Sequence, residues 1–277
     1  MHAIPLTRSP DLDLEKPSRY WFADNAWATH VVNGINLLFP AGERFFVRSV
    51  NHYLPQITDP TLRAQIKGFF GQEGSHAREH ERAFRALEAQ GYDIKRFLRF
   101  YTRVAYGFVE RVSSPGLSLA VTAACEHYTA MLAEQALGGP RLLDRAEPEM
   151  RALLMWHASE EIEHRAVAFD VLQSVAPSYR LRLEGLALAS LLLGGFWFLG
   201  ATSLIVQEKN RGRVLRDWRI ARKLRGSSGI LRRSLRDYLR RDFHPLQRDL
   251  EKLAADYIAS AGLPPMQAAP RHAASAH

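Results

Sequence analysis

The sequence predicts an all-α protein, a four-helix bundle with additional helices toward the C-terminus. Alanine, leucine and arginine dominate the 277 residues, and proline and glycine fall mostly between periodic segments. No stretch alternates apolar and polar residues as a half-buried strand does. A chain of this length can bury one large core or two modest ones.

The elements follow in order. Residues 1–20 have no apolar run, so they show no secretory signal and read as a flexible N-terminal arm. A segment around 31–39 leads into a helix that carries Glu43 and runs to about Leu54, with Pro40 starting or kinking it. PQITDP is a turn, and Asp59 before Pro60 opens a helix over 60–90 that Gly91 ends. Further helices are expected at 93–112, 115–137 and 147–176, with GGP at 138–140 and Pro177 as stops. Residues 21–177 thus make up the expected bundle.

Residues 185–206, GLALASLLLGGFWFLGATSLIV, run for 22 residues without a charge, the length of a membrane span, with basic residues on both sides. Three readings stay open: a transmembrane helix, a membrane-inserted hairpin broken near Gly194-Gly195, or a helix packed on the bundle or in a homodimer interface. Shorter helices at 212–225, 229–241 and 245–261 complete an apolar and basic extension over 178–262, and 263–277 reads as a disordered tail.

The net charge of +8 is concentrated, because residues 209–249 hold 14 Lys+Arg against 4 Asp+Glu. Neither zinc-finger spacing nor an RNA-binding motif accompanies this block, which argues against a specific nucleic-acid partner and for a solvated basic segment or a lipid-headgroup contact. Cys125 is the single cysteine, so no intramolecular disulfide forms, and a reducing compartment fits. The expected location is the cytoplasm, peripheral or monotopic at the inner membrane face.

The chemistry lies in polar residues at core phase. Positions three, four and seven apart share one helix face. On the 60–90 helix that face reads Leu62, Ile66, Phe69, Glu73, His76, His80, Phe84, Leu87; on the 147–176 helix it reads Leu153, His157, Glu161, His164, Ala168, Val171. The 115–137 helix contributes Glu126 among small residues, and the first helix Glu43. The order Glu43, Glu73-x-x-His76, Glu126, Glu161-x-x-His164 is the ligand set with which ferritin-like bundles hold two metal ions. One Glu-x-x-His is a weak signal, but two copies with two partner glutamates in core phase are a specific one. Without cations, four buried carboxylates repel and lose hydration, whereas two divalent ions neutralise them; imidazole plus carboxylate suits Fe, Mn or Zn.

Several neighbours need assigning. With His157 at zero, His164 lies about −20° round the helix, Glu161 about +40°, Glu160 about −60° and Glu163 about −120°. Glu163 therefore reads as a surface charge. Geometry leaves Glu160 as an alternative to Glu161, with the spacing to His164 favouring Glu161. His157 reads as a third imidazole ligand or as a support to one, and His80 has a weaker claim to either role. His127, Tyr53 and Tyr128 read as structural.

The segments FPAGERFF, FFGQEGSHAREHERAF, CEHYTA and WHASEEIEHRAVAFDV resemble a bacterial family described as predicted metal-dependent hydrolases, over about 20–260. That likeness implies hydrolysis at a metal site. The ligand pattern is similar instead to ferritin-like di-iron proteins, among which di-iron arylamine N-oxygenases carry an extra histidine four residues before the last Glu-x-x-His, as His157 does. By that likeness Glu73 or Glu161 bridges two ions, and Glu43 and Glu126 are terminal or switching ligands. The leading expectation is therefore a di-iron oxidase or oxygenase using O2 on a small apolar or amine substrate. A binuclear hydrolase and a non-enzymatic metal-binding protein are the alternatives; the long C-terminal extension argues against simple storage.

Overall fold

A computed structural model describes residues 4–14, 17–138, 142–222 and 228–263. Among them regular structure is helical apart from one isolated bridge between Phe22 and Ala146. The helices are α1 (Ala26–Asn36), α2 (Phe39–Asn51), α3 (Pro60–Ala89) and α4 (Lys95–Val104), which passes through a π-helical turn (Ala105–Val109) into the short α5 (Glu110–Val112). Then come α6 (Pro115–Gly138), α7 (Pro148–His164), α8 (Val167–Val175), α9 (Tyr179–Ile205), α10 (Arg211–Ala221), α11 (Ser228–Tyr238) and α12 (Glu251–Ala261). The expected tail lies outside the described residues from position 264 onward.

Local chemistry sets the helix ends. Asp59 accepts a hydrogen bond from the Thr61 N–H at 2.8 Å, and Pro60 takes a first-turn position where no N–H is needed. Pro40 lies in the first turn of α2, so it starts that helix rather than kinking it.

Four helical segments pack side by side: α2 on α3, α6 on α7 and α8, with α2–α6 and α3–α7/α8 contacts closing the arrangement. Phe46, Val50, Ile66, Phe69, Leu119, Ala168 and Val171 form the apolar core at one end of this packing. Trp156 and Leu153 continue the burial at the other, in a second cluster with Leu12, Leu14 and Trp21.

Four expectations change. Residues 31–36 of the segment around 31–39 belong to α1, which begins at Ala26 because Asn25 caps it by accepting from the Ala28 N–H, and Phe39 already starts α2. The single helix expected over 147–176 is two, broken at Arg165-Ala166. There the buried Arg165 guanidinium donates to the Arg248 carbonyl (3.0 Å) and to Glu251 (2.6 Å), tying the break to the start of α12. The N-terminal arm packs on the fold: Arg8, Leu12 and Leu14 are buried. Its approach to α3 is so close that a Cβ on Gly68 would sit 2.2 Å from the Pro5 carbonyl oxygen, so only glycine admits the arm there.

The fourth change concerns α9. It runs unbroken through Gly194 and Gly195, so the inserted hairpin is not formed. One face packs on α1 and α6, and at Gly185 a Cβ would lie 2.5 Å from the Ala120 carbonyl carbon. By length and composition α9 could cross a membrane, yet it is built in as a wall of the fold with its other face open.

Candidate metal centre

The core stripes meet midway along the four segments. Glu43 from α2, Glu73, His76 and His80 from α3, Glu126 from α6, and His157, Glu161 and His164 from α7 are each at most 4% exposed. His164 Nε2 lies 3.1 Å from Glu73, 3.3 Å from Glu126 and 3.5 Å from Glu161. His76 Nδ1 lies 3.6 Å from Glu161, and His157 Nε2 lies 2.8 Å from Glu161 and 3.8 Å from Glu43. Within each of four overlapping triads (Glu43/His80/His157, His76/His157/Glu161, Glu43/Glu73/His76 and Glu73/Glu161/His164) the donor atoms lie within 4.8 Å of one another.

These contacts are not a satisfied hydrogen-bond network. Both carboxylate oxygens of Glu43, Glu73 and Glu126, one of Glu161, His76 Nδ1 and His164 Nε2 are buried without a hydrogen-bond partner. Orphaned buried charges cost several kcal/mol each. Separations near 3 Å are what two adjacent ligands show around one ion at bond lengths of about 2.1 Å. The donor set therefore fits metal, and the atoms left over are the ones a metal would engage.

Burial and mutual charge also perturb the ionisation of these groups. Burial, then Glu73 and Glu161, hold the Glu43 carboxyl well above the usual carboxylate range. Burial and the Glu126 charge do the same to Glu73. Glu126 is pushed up to about 7, chiefly by burial. Burial opposes charge on Glu161 too, but His164 and His157 bring it well below the usual range. His164 is drawn well upward by Glu161 and Glu126 although burial resists its charge, while burial depresses His76 and His80.

A second layer orients the imidazoles. Glu160 Oε2 meets His76 Nε2 at 3.0 Å, while its Oε1 accepts from the Arg8 backbone N–H at 2.9 Å. Glu160 thus sits behind His76, which turns Nδ1 toward the cluster, and Glu161 is the carboxylate facing it. Gln72 Oε1 accepts from His164 Nδ1 at 2.8 Å, which leaves Nε2 facing Glu73 and Glu126. His80 Nε2 and His157 Nδ1 are hydrogen-bonded at 2.7 Å. Glu163, expected as a surface charge, is instead partly buried and bridges Arg8 (2.7 and 2.9 Å) to the Gln72 amide (2.7 Å). His127 lies apart, on the Ser234 carbonyl at 2.9 Å, and Tyr128 holds Ser190 of α9 at 2.6 Å. Nothing local in the sequence marks Arg8 or Gln72, which reach the cluster from the arm and from the residue before Glu73.

An apolar cavity of about 310 Å³ ends on this cluster, walled by Ile35, Phe39, Leu132, Ala136, Leu154 and Trp197, with His157 and Glu161 at its end. A smaller one of about 80 Å³ reaches Glu43 between α2, the π turn and α9.

Four helices that bury unpaired carboxylates and imidazoles around one point define a metal-dependent helical protein. A family model described as predicted metal-dependent hydrolase matches residues 6–249, and the chain belongs to that family. Comparison with curated proteins and with solved structures gives no match.

Proposed function

We propose that the chain is a ferritin-like dinuclear metalloenzyme that uses O2 on an apolar small molecule at a carboxylate-rich pair of iron ions. The observation that carries this reading is a cluster of four buried carboxylates with unpaired oxygens, one of which, Glu161, lines a cavity walled by apolar side chains. Glu43, Glu73, Glu126, Glu161, His76 and His164 would hold the ions, with His157 as an additional imidazole. Four negative charges balance two divalent cations, which supply, when bound, electrons to O2 or Lewis acidity toward water.

The chain's own residues do the rest. Glu160 and Gln72 fix which nitrogen of His76 and of His164 faces the ions. Trp156, fully buried against His76 with ring centroids 4.9 Å apart, and Phe69 against His164 at 5.1 Å exclude water from the ligands. The cavity holds an apolar substrate against His157 and Glu161 by burying its surface, which stabilises binding by roughly 25 cal/mol per Å².

Hydrolysis is the second reading, favoured by the family's description. Loading with Fe(II) without air, followed by O2, separates the two. O2 uptake with a transient visible absorbance supports the first reading. No O2 consumption, with ester or phosphoester turnover under Zn²⁺ or Mn²⁺, replaces it with the second.

A further inference from the structure

The open face of α9 continues onto α4. The two helices run antiparallel: the Asp93 N–H donates to the Gln207 side chain at 2.7 Å, Phe97 lies against Gly200, and Phe100 and Phe196 meet with ring centroids 6.0 Å apart. Along this pair Phe100, Phe108, Val112, Leu191 and Phe198 are 50–71% exposed. So many large apolar side chains left open on adjoining elements are uncommon on a soluble surface and mark a contact site. Arg96, Arg99, Arg103 and Arg111 are exposed on the same α4–α5 segment. The acid among them, Glu110, is already taken by Arg48 at 2.7 and 3.1 Å.

We propose that the outer faces of α4, the π turn and α9 form a docking surface for an anionic lipid bilayer, with α9 lying in the interfacial plane. Apolar side chains flanked by arginines are what an interfacial helix presents, the aromatic residues entering the acyl boundary while guanidinium groups meet lipid phosphates. A second copy of this chain fits less well, because a two-fold contact places the same cationic flank against itself. A span fits less well still, since α1 and α6 hold the opposite face of α9. The cavity that reaches Glu43 lies directly beneath this surface, lined by Tyr106, Val109, Leu188, Leu192 and Phe196. Docking would therefore place a lipid-dissolved molecule at its mouth.

The test is vesicle flotation of the full chain, with equimolar phosphatidylglycerol and phosphatidylcholine against phosphatidylcholine alone. The protein is expected to float with the anionic vesicles and much less with the neutral ones. Phe108→Ser with Phe198→Ser, and separately Arg99→Glu with Arg103→Glu, should each weaken flotation about tenfold or more. Circular dichroism and metal content should stay unchanged in both, because these side chains are exposed, which separates lost docking from lost folding. Wild-type protein that stays unbound with both vesicles overturns the proposal, as does full flotation of the arginine variant. A vesicle-free dimer that Phe108→Ser with Phe198→Ser converts to monomer also overturns it, in favour of a second copy.

Discussion

Replacing Glu126 by glutamine should stabilise the metal-free protein while removing metal. Glu126 is fully buried, and both its carboxylate oxygens lack hydrogen-bond partners. Burial raises its carboxyl from 4.5 to about 7, with His164 opposing and Glu161 adding to the rise. A carboxyl raised on folding contributes stability that is fully present below its unfolded value and lost as pH climbs through the folded one. A shift of this size corresponds to about 3 kcal/mol, and protons shared among the neighbouring carboxylates reduce that to about 1–3 kcal/mol. The amide has the same shape and no charge to bury. Thermal unfolding of chelator-treated protein at about pH 8 should therefore give the variant a Tm higher by about 2–8 °C, with the difference vanishing near pH 4.5. Titration with Zn²⁺ or Fe²⁺ should show that the same variant has lost ions. A variant less stable than wild type at pH 8 without metal, or one that still binds ions as wild type does, would refute the reasoning.

Three further outcomes follow. Glu161→Gln should lower metal stoichiometry, whereas Glu160→Gln, acting through His76, should keep the stoichiometry and weaken affinity about 10–100-fold; titration with a competing chelator distinguishes them. Arg8→Ala removes the guanidinium that Glu160 and Glu163 share, while Glu163 keeps the Gln72 amide and Glu160 keeps His76, and should cost about 1–3 kcal/mol in denaturant unfolding. Ala136→Phe should fill the cavity that ends on His157 and Glu161, abolishing turnover of bulky apolar substrates with metal content intact.

Much of the candidate site was legible because a helix in contact with a core must repeat apolar residues every three or four positions. Glu73, His76, Glu161 and His164 break that repeat while keeping its phase. The choice between Glu160 and Glu161 was not legible: they lie about 100° apart on either side of the inward direction, and both are buried. What separates them is Arg8, about 150 residues away in sequence, which claims Glu160. The role of Glu163 failed for the same reason, since its partners come from the arm and from Gln72. The break after His164 had no proline or glycine to announce it; it depends on Arg165 finding carbonyls and Glu251 in the C-terminal extension. Composition described α9 correctly as apolar and long, but only tertiary contact decides which face is covered.

The central claim is that the chain holds two metal ions on residues from four helices. Metal analysis of protein loaded with Fe(II) in the absence of air tests it most directly, beside Glu73→Ala and Glu126→Ala variants treated identically. The account predicts two ions per wild-type chain, and loss of at least one in each variant with helical content preserved. Wild-type protein that retains no metal, or variants that bind two ions as tightly as wild type, would contradict it.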